Sequence, residues 1–203
     1  MTSMPVQEEI FVPFPAPTLP LRHMRSTVLL GSIDVIRESP HWDDYVRALE
    51  APYRETLLTT VAASWVPIST AAAHYRACDL LALSVEEQVA NGRKTFARAG
   101  GVIFGTVMKM AKEVGVTPWT LMAQFPRFWA RSYDGGGVQV RKVGPKEAYV
   151  DVIRAPLFES RYHRNAVRGV IVSSIDLFCT KGYMTQRLGA TIPDGVAYRV
   201  QWA

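Results

Sequence analysis

One change of period divides this chain. Ahead of Asp134-Gly135-Gly136-Gly137 the apolar residues recur at helical spacing, and beyond it they alternate. Val138, Val140 and Val143 predict a short strand, and Gly144-Pro145-Lys146-Glu147 a turn. Ala148, Val150 and Val152, alternating with Tyr149, Asp151 and Ile153, predict a second strand. Helical spacing then returns from Arg161 to Lys181, with Val167, Val170, Ile171, Ser174, Leu177 and Phe178 on one face and Gly182 as its stop. Tyr183–Thr191 and Val196–Trp202 read as two closing strands around Pro193-Asp194-Gly195. A hairpin, a helix and a second hairpin can share one antiparallel sheet. With the helices of the N-terminal half packed on one side of it, the fold class is α+β.

A chain of 203 residues, 48% hydrophobic and 20% charged, is long enough to bury one core without metals or disulfides. Residues 1–25 read as an extended, proline-rich, apolar arm and 26–203 as a single α+β domain. Its helical part covers 40–133 and its sheet part 137–203. Five of the sixteen residues from 5 to 20 are proline, which fixes φ and cannot donate a backbone hydrogen bond. Phe11, Phe14 and Leu19 make that arm apolar, so it is expected to lie on something: its own domain, or a second subunit.

Ser26–Ile36 reads as a strand or a short helix broken near Gly31. Ser39-Pro40 opens a helix, and Trp65-Val66-Pro67 marks a break. Ser84 and Glu87 have capping-box spacing for a helix reaching about Arg98, with Gly100-Gly101 ending or bending it. Val102–Val114 reads as a further helix closed by Gly115. Thr117-Pro118 opens an aromatic helix that runs to Tyr133 with a kink at Pro126.

Composition excludes several function classes. The net charge of +5 is modest and the basic residues form no dense cluster, which argues against nucleic acid as a partner. No apolar run is long enough to span a bilayer, and the acidic N-terminus does not resemble a signal peptide, so a cytoplasmic location is expected. Cys78 and Cys179 sit in apolar stretches and read most simply as small core residues in a reducing compartment, with a disulfide between them as the alternative.

The order of elements carries a resemblance. Phe128-Trp129-Ala130-Arg131-Ser132-Tyr133-Asp134-Gly135-Gly136 is followed by the strand pair around Gly144-Pro145 and closes on Tyr198-Arg199-Val200-Gln201-Trp202. Over about Thr27–Trp202 this resembles a family of uncharacterised proteins abundant in myxobacteria. That family is distantly similar to a superfold of vinyl-reductase-type ligand-binding domains, haem nitric-oxide-binding domains and small subunits of the TRAPP vesicle-tethering complex. The resemblance implies an α+β domain, often dimeric, that binds a small molecule, a lipid chain or a partner, and few enzymes. Its haem-binding members hold iron with a helix histidine and read the propionates through a Tyr-x-Ser-x-Arg motif. Here Tyr162-His163-Arg164 stands without that motif, so no cofactor is expected.

Candidate chemistry in the residues is sparse. His74 and Cys78 share a helix face, but no second His/Cys pair accompanies them, so no metal is expected. Asp43-Asp44 and Glu86-Glu87 fall in first helical turns, where carboxylates complement the dipole. Arg161, Arg164 and Arg168 form a basic stripe with His163 beside it, suited to a carboxylate, a phosphate or an acidic partner surface, or simply a solvated face. Phe104, Met108, Trp119, Met122, Phe125 and Trp129 suit either plain core or an apolar pocket. With no catalytic motif, the first reading is a non-enzymatic binding or scaffold protein acting through protein contacts, self-association included. The alternative is a sensor for a small apolar or anionic molecule or a lipid. A hydrolase or transferase comes third.

Overall fold

The structure is a computed structural model that describes residues 8–103, 116–190 and 192–203, with side chains through residue 98 in the first span. Its helices are α1 (Ser26–Arg37), α2 (Trp42–Ala48), α3 (Ala51–Thr59), α4 (Ile68–Asp79), α5 (Val85–Ile103), α6 (Pro118–Met122), α7 (Phe125–Ser132) and α8 (Arg161–Ile175). Its strands are β1 (Glu9–Val12), β2 (His23–Arg25), β3 (Trp65–Pro67), β4 (Tyr133–Asp134), β5 (Gly137–Gly144), β6 (Glu147–Ile153), β7 (Gly182–Gln186) and β8 (Val196–Trp202).

The hairpin, helix and hairpin anticipated from the period change are present, and the fold is α+β. The main sheet has the order β1-β5-β6-β8-β7 with every pair antiparallel. Alternation sorts its two faces. Ala148, Val150 and Val152 of β6 are buried on the helical side with Val140, Tyr198 and Val200. On the other side Asp151 sits between Arg141 at 2.7 Å and Arg187 at 3.4 Å, and the Arg187 guanidinium lies 3.7 Å from the Tyr149 ring. A second, smaller sheet, β3-β2-β4, ties the Tyr133-Asp134 corner to the start of the helical half. Gly135 and Gly136 turn that corner with φ of 99° and 64°, and a Cβ on Gly135 would stand 2.1 Å from the Pro20 carbonyl oxygen.

Helix boundaries follow local chemistry, with instructive departures. The Ser84 hydroxyl accepts from the Glu87 N–H and the Glu87 carboxylate accepts from the Ser84 N–H, a completed capping box on α5. Gly31 does not break α1. It is buried inside the helix against Thr95 of α5. Gly100 and Gly101 likewise lie inside α5, and the Val102–Val114 helix lies outside the described residues beyond Ile103. The aromatic helix is two helices, α6 and α7. The break falls at Ala123-Gln124 because Pro126, near the start of α7, cannot donate to a preceding turn. Helix α8 stops at Ile175, short of Lys181. The Thr180 N–H bonds the Ala203 carbonyl and the Ala203 N–H bonds that of Lys181, so this stretch pairs with the chain's end instead of continuing the helix. Gly182 therefore opens β7, with its N–H held by the Asp176 carboxylate at 2.6 Å.

Helices α5 and α8 cross at very short range. A Cβ on Gly92 would stand 1.9 Å from the Ala166 carbonyl oxygen, and one on Gly169 2.0 Å from that of Val89. This contact seats α8 between α5 and the sheet.

Candidate apolar ligand cavity

Between α8, α7 and the inner face of the sheet lies a cavity of about 140 Å³. Helix α8 contributes Val167, Val170, Ile171 and Ser174 to its wall, and the sheet contributes Val138, Val150, Val152 and Tyr198. Phe125, Phe128 and Trp129 close it from α7, and Tyr75 of α4 and Phe158 from the far side. The wall is held in place because α8 is fixed at its start and near its middle. Ser160 caps its first turn by accepting from the His163 N–H at 3.1 Å, and Gly169 locks it onto α5. On either side of Gly169, half-buried Val167, Val170 and Ile171 turn toward a space that no described side chain fills.

The polar groups on this wall are few and mostly committed. Thr95 donates to the Asn91 carbonyl at 2.9 Å, Ser174 to that of Val170 at 2.9 Å, and Tyr198 to that of Arg164 at 3.0 Å. The Ser32 hydroxyl meets His74 Nε2 at 2.9 Å, and His74 Nδ1 meets the Tyr45 hydroxyl at 2.9 Å. Burial lowers His74 to a pKa of about 3, so it is a neutral link in that chain. His163 differs. It is 2% exposed, its ring lies 4.2 Å from Tyr75 and 4.7 Å from Phe158, and its Nε2 has no hydrogen-bond partner. Burial first, then His74 and Arg164, bring its pKa down to about 3. No Asp, Glu, Lys or Arg is among the described residues lining the cavity.

The residues singled out from sequence are distributed unevenly around this site. His163 is on the wall, while the basic stripe beside it is turned to other work. Arg164 donates to the Phe158 and Glu159 carbonyls, and Arg168 to the Met184 carbonyl and the Asn165 side chain, so both tie α8 to its neighbours. Arg161 is exposed at the first residue of α8. Phe125 and Trp129 line the cavity. Met122 is fully buried elsewhere in the core, and Phe104 and Met108 lie outside the described residues. Trp119 sits apart, at the sheet margin, against Phe11 at 5.2 Å and Trp202 at 4.9 Å. The arm carrying Phe11 lies along its own chain: β1 pairs with β5, Phe14 is half-buried, and Leu19 flanks an outer cleft beside Trp129. Cys78 Sγ is 3.8 Å from His74 Nε2, and no group of three or more potential metal ligands occurs among the described residues. The α8 and sheet contributions to the wall escaped sequence reading. Their alternating and helical patterns are those of any core, and only the unfilled space sets them apart.

No family model matches this chain, and no curated protein matches it in sequence. Solved structures do. The Fe(II) unliganded H-NOX protein of K. algicida superposes with a TM-score of 0.63 at 9% identity, over 89% of this chain and 97% of that one. A mutant of the T. tengcongensis H-NOX gives 0.61 at 9% identity, over 88% and 97%. An oxygen-binding H-NOX domain related to soluble guanylate cyclases gives 0.57 at 9%, over 88% and 95%. The fold is therefore shared with haem nitric-oxide-binding domains, as the order of elements implied. No helix among the described residues is long and apolar enough to cross a membrane.

Proposed function

We propose that this chain is a non-enzymatic small-molecule-binding domain whose ligand occupies the apolar cavity between α8, α7 and the sheet. The observation that carries this reading is the cavity itself. Protein interiors are normally close-packed, and apolar walls that no described side chain covers forgo packing contacts unless something fills the space between them. The neighbours with this fold include structures concerned with bound oxygen and with porphyrin distortion, so the architecture tolerates an interior ligand.

The described residues of the cavity do not fit haem. An imidazole is a ligand type for haem iron, and His163 is on the wall. Yet a cavity of about 140 Å³ is of the size that takes up one benzene ring, far short of a tetrapyrrole. Among the described residues no lining cation could meet the propionates. The two features that favoured docking onto a protein partner also have occupations within the chain: the arm completes the sheet edge, and Arg164 and Arg168 hold α8.

Benzene is the simplest probe. At a hundredfold excess over its dissociation constant it should stabilise the full chain by about 2.7 kcal/mol, raising Tm by roughly 5–10 °C. The variant Val170→Phe, which fills the cavity from α8, should fold and lose that response. A thermal scan that does not move with benzene would refute the reading.

A further inference from the structure

We propose that the cavity selects an uncharged single-ring molecule bearing one hydrogen-bonding group, and that His163 is the residue that recognises that group. This rests on the reading of the cavity as a ligand site and adds the chemical class of the ligand.

Three buried side-chain atoms in the described residues have no hydrogen-bond partner: Arg141 Nε, the Tyr162 hydroxyl and His163 Nε2. Of the three residues only His163 belongs to the cavity wall. A buried polar atom left unpaired costs about 1–3 kcal/mol, so the position is expensive unless a partner arrives. The hydroxyls of Ser174, Thr95 and Tyr198 already donate within the protein and cannot supply it. The imidazole is also fixed in place. Its backbone N–H is held by Ser160, and its ring packs against Tyr75 and Phe158. A neutral imidazole offers one donor and one acceptor, so it can meet a hydroxyl or an amine without a change in charge.

An ionised ligand finds no counter-charge here: the described wall holds no ionised side chain, and the helix dipole at the N-terminal turn of α8 opposes the protonation of His163 that would supply one for an anion. Size sets the rest. A void near 140 Å³ admits one six-membered ring, and the surrounding Phe, Trp and Tyr faces suit an aromatic one.

The test compares phenol, benzene and benzoate on the full chain by calorimetry, with His163→Phe beside the wild type. Phenol should bind the wild type more tightly than benzene, by about 3- to 10-fold for one net hydrogen bond. His163→Phe, which keeps the ring and removes its nitrogens, should still bind benzene and should lose that preference. Benzoate should bind neither. If His163→Phe fails to fold, the imidazole nitrogen resonances of the wild type decide: phenol should shift them and benzene should not. Benzene binding with no phenol preference, or with a preference that survives His163→Phe, would overturn the role of His163 and leave the cavity reading standing. Benzoate binding as tightly as phenol would overturn the exclusion of charge. If neither ring binds, the cavity reading falls together with this one.

Discussion

Two histidines show how much a residue's meaning depends on what surrounds it. In the sequence His74 is half of an incomplete metal pair and His163 is an accessory to a basic stripe. In the fold both are buried and neutral, one joined to Tyr45 and Ser32 and the other facing the cavity with Nε2 unpaired. Their neighbours in sequence could not reveal this, because successive residues on a helix point about 100° apart and only packing decides which side is inside. A pH dependence follows. Each ring has a pKa of about 3 in the folded chain against an ordinary 6.5. Below pH 6.5 the unfolded chain takes up two protons that the folded chain refuses. Stability should therefore be level above pH 6.5 and fall as pH drops from there toward 3. The loss should be about 3 kcal/mol between pH 6.5 and 5. Urea midpoints across that range would measure it, and His163→Phe should remove about half of the slope. A flat profile from pH 7 to 5 would contradict the neutral, buried assignment.

At the scale of elements, the crossing of α5 and α8 and the docking of β1 govern whether the cavity keeps its shape. Gly92 has no room for a methyl group, since a Cβ would meet the Ala166 carbonyl at 1.9 Å. Gly92→Ala gains up to about 1 kcal/mol of helix propensity and forces the helices apart. The net effect should be a loss of about 1–3 kcal/mol, seen as a lower urea midpoint with an unchanged slope. The strand β1 protects an edge. Removing residues 1–13 should uncover the backbone groups of β5 and the face of Trp119 that Phe11 covers. Exposed edges pair with other chains, so the truncated protein should show a concentration-dependent rise in mass by light scattering. A truncated chain that stays at the mass of the full one would show that β5 does not need the cover. Element types were legible ahead of the structure: the capping box at Ser84, the hairpin turn at Gly144-Pro145 and the valine alternation of β5 and β6 all act locally. Element ends were less so. The stop of α8 at Ile175 depends on Ala203, a partner remote in the chain.

At the scale of the whole molecule, the sheet and the helices enclose a space that neither layer defines alone. Phe125 and Trp129 belong to a stretch recognisable in the sequence as a possible pocket wall, yet Trp119 and Met122 from the same stretch went elsewhere when the aromatic helix divided at Ala123-Gln124. The rest of the wall comes from α8 and the sheet, whose residues follow ordinary core patterns. By itself the sequence determined the class of fold, the hairpin–helix–hairpin of the last third, the apolar character of the arm and the absence of recognisable catalytic motifs. These depend on period, turn residues and capping, which act over a few neighbouring positions. Only the tertiary structure decided that the arm completes a sheet edge of its own chain, that Arg164 and Arg168 hold α8, and that a space unfilled by the described side chains lies beside His163. Those outcomes depend on which surfaces meet across long separations in the chain, and on volume left over after packing, a quantity that no short pattern encodes.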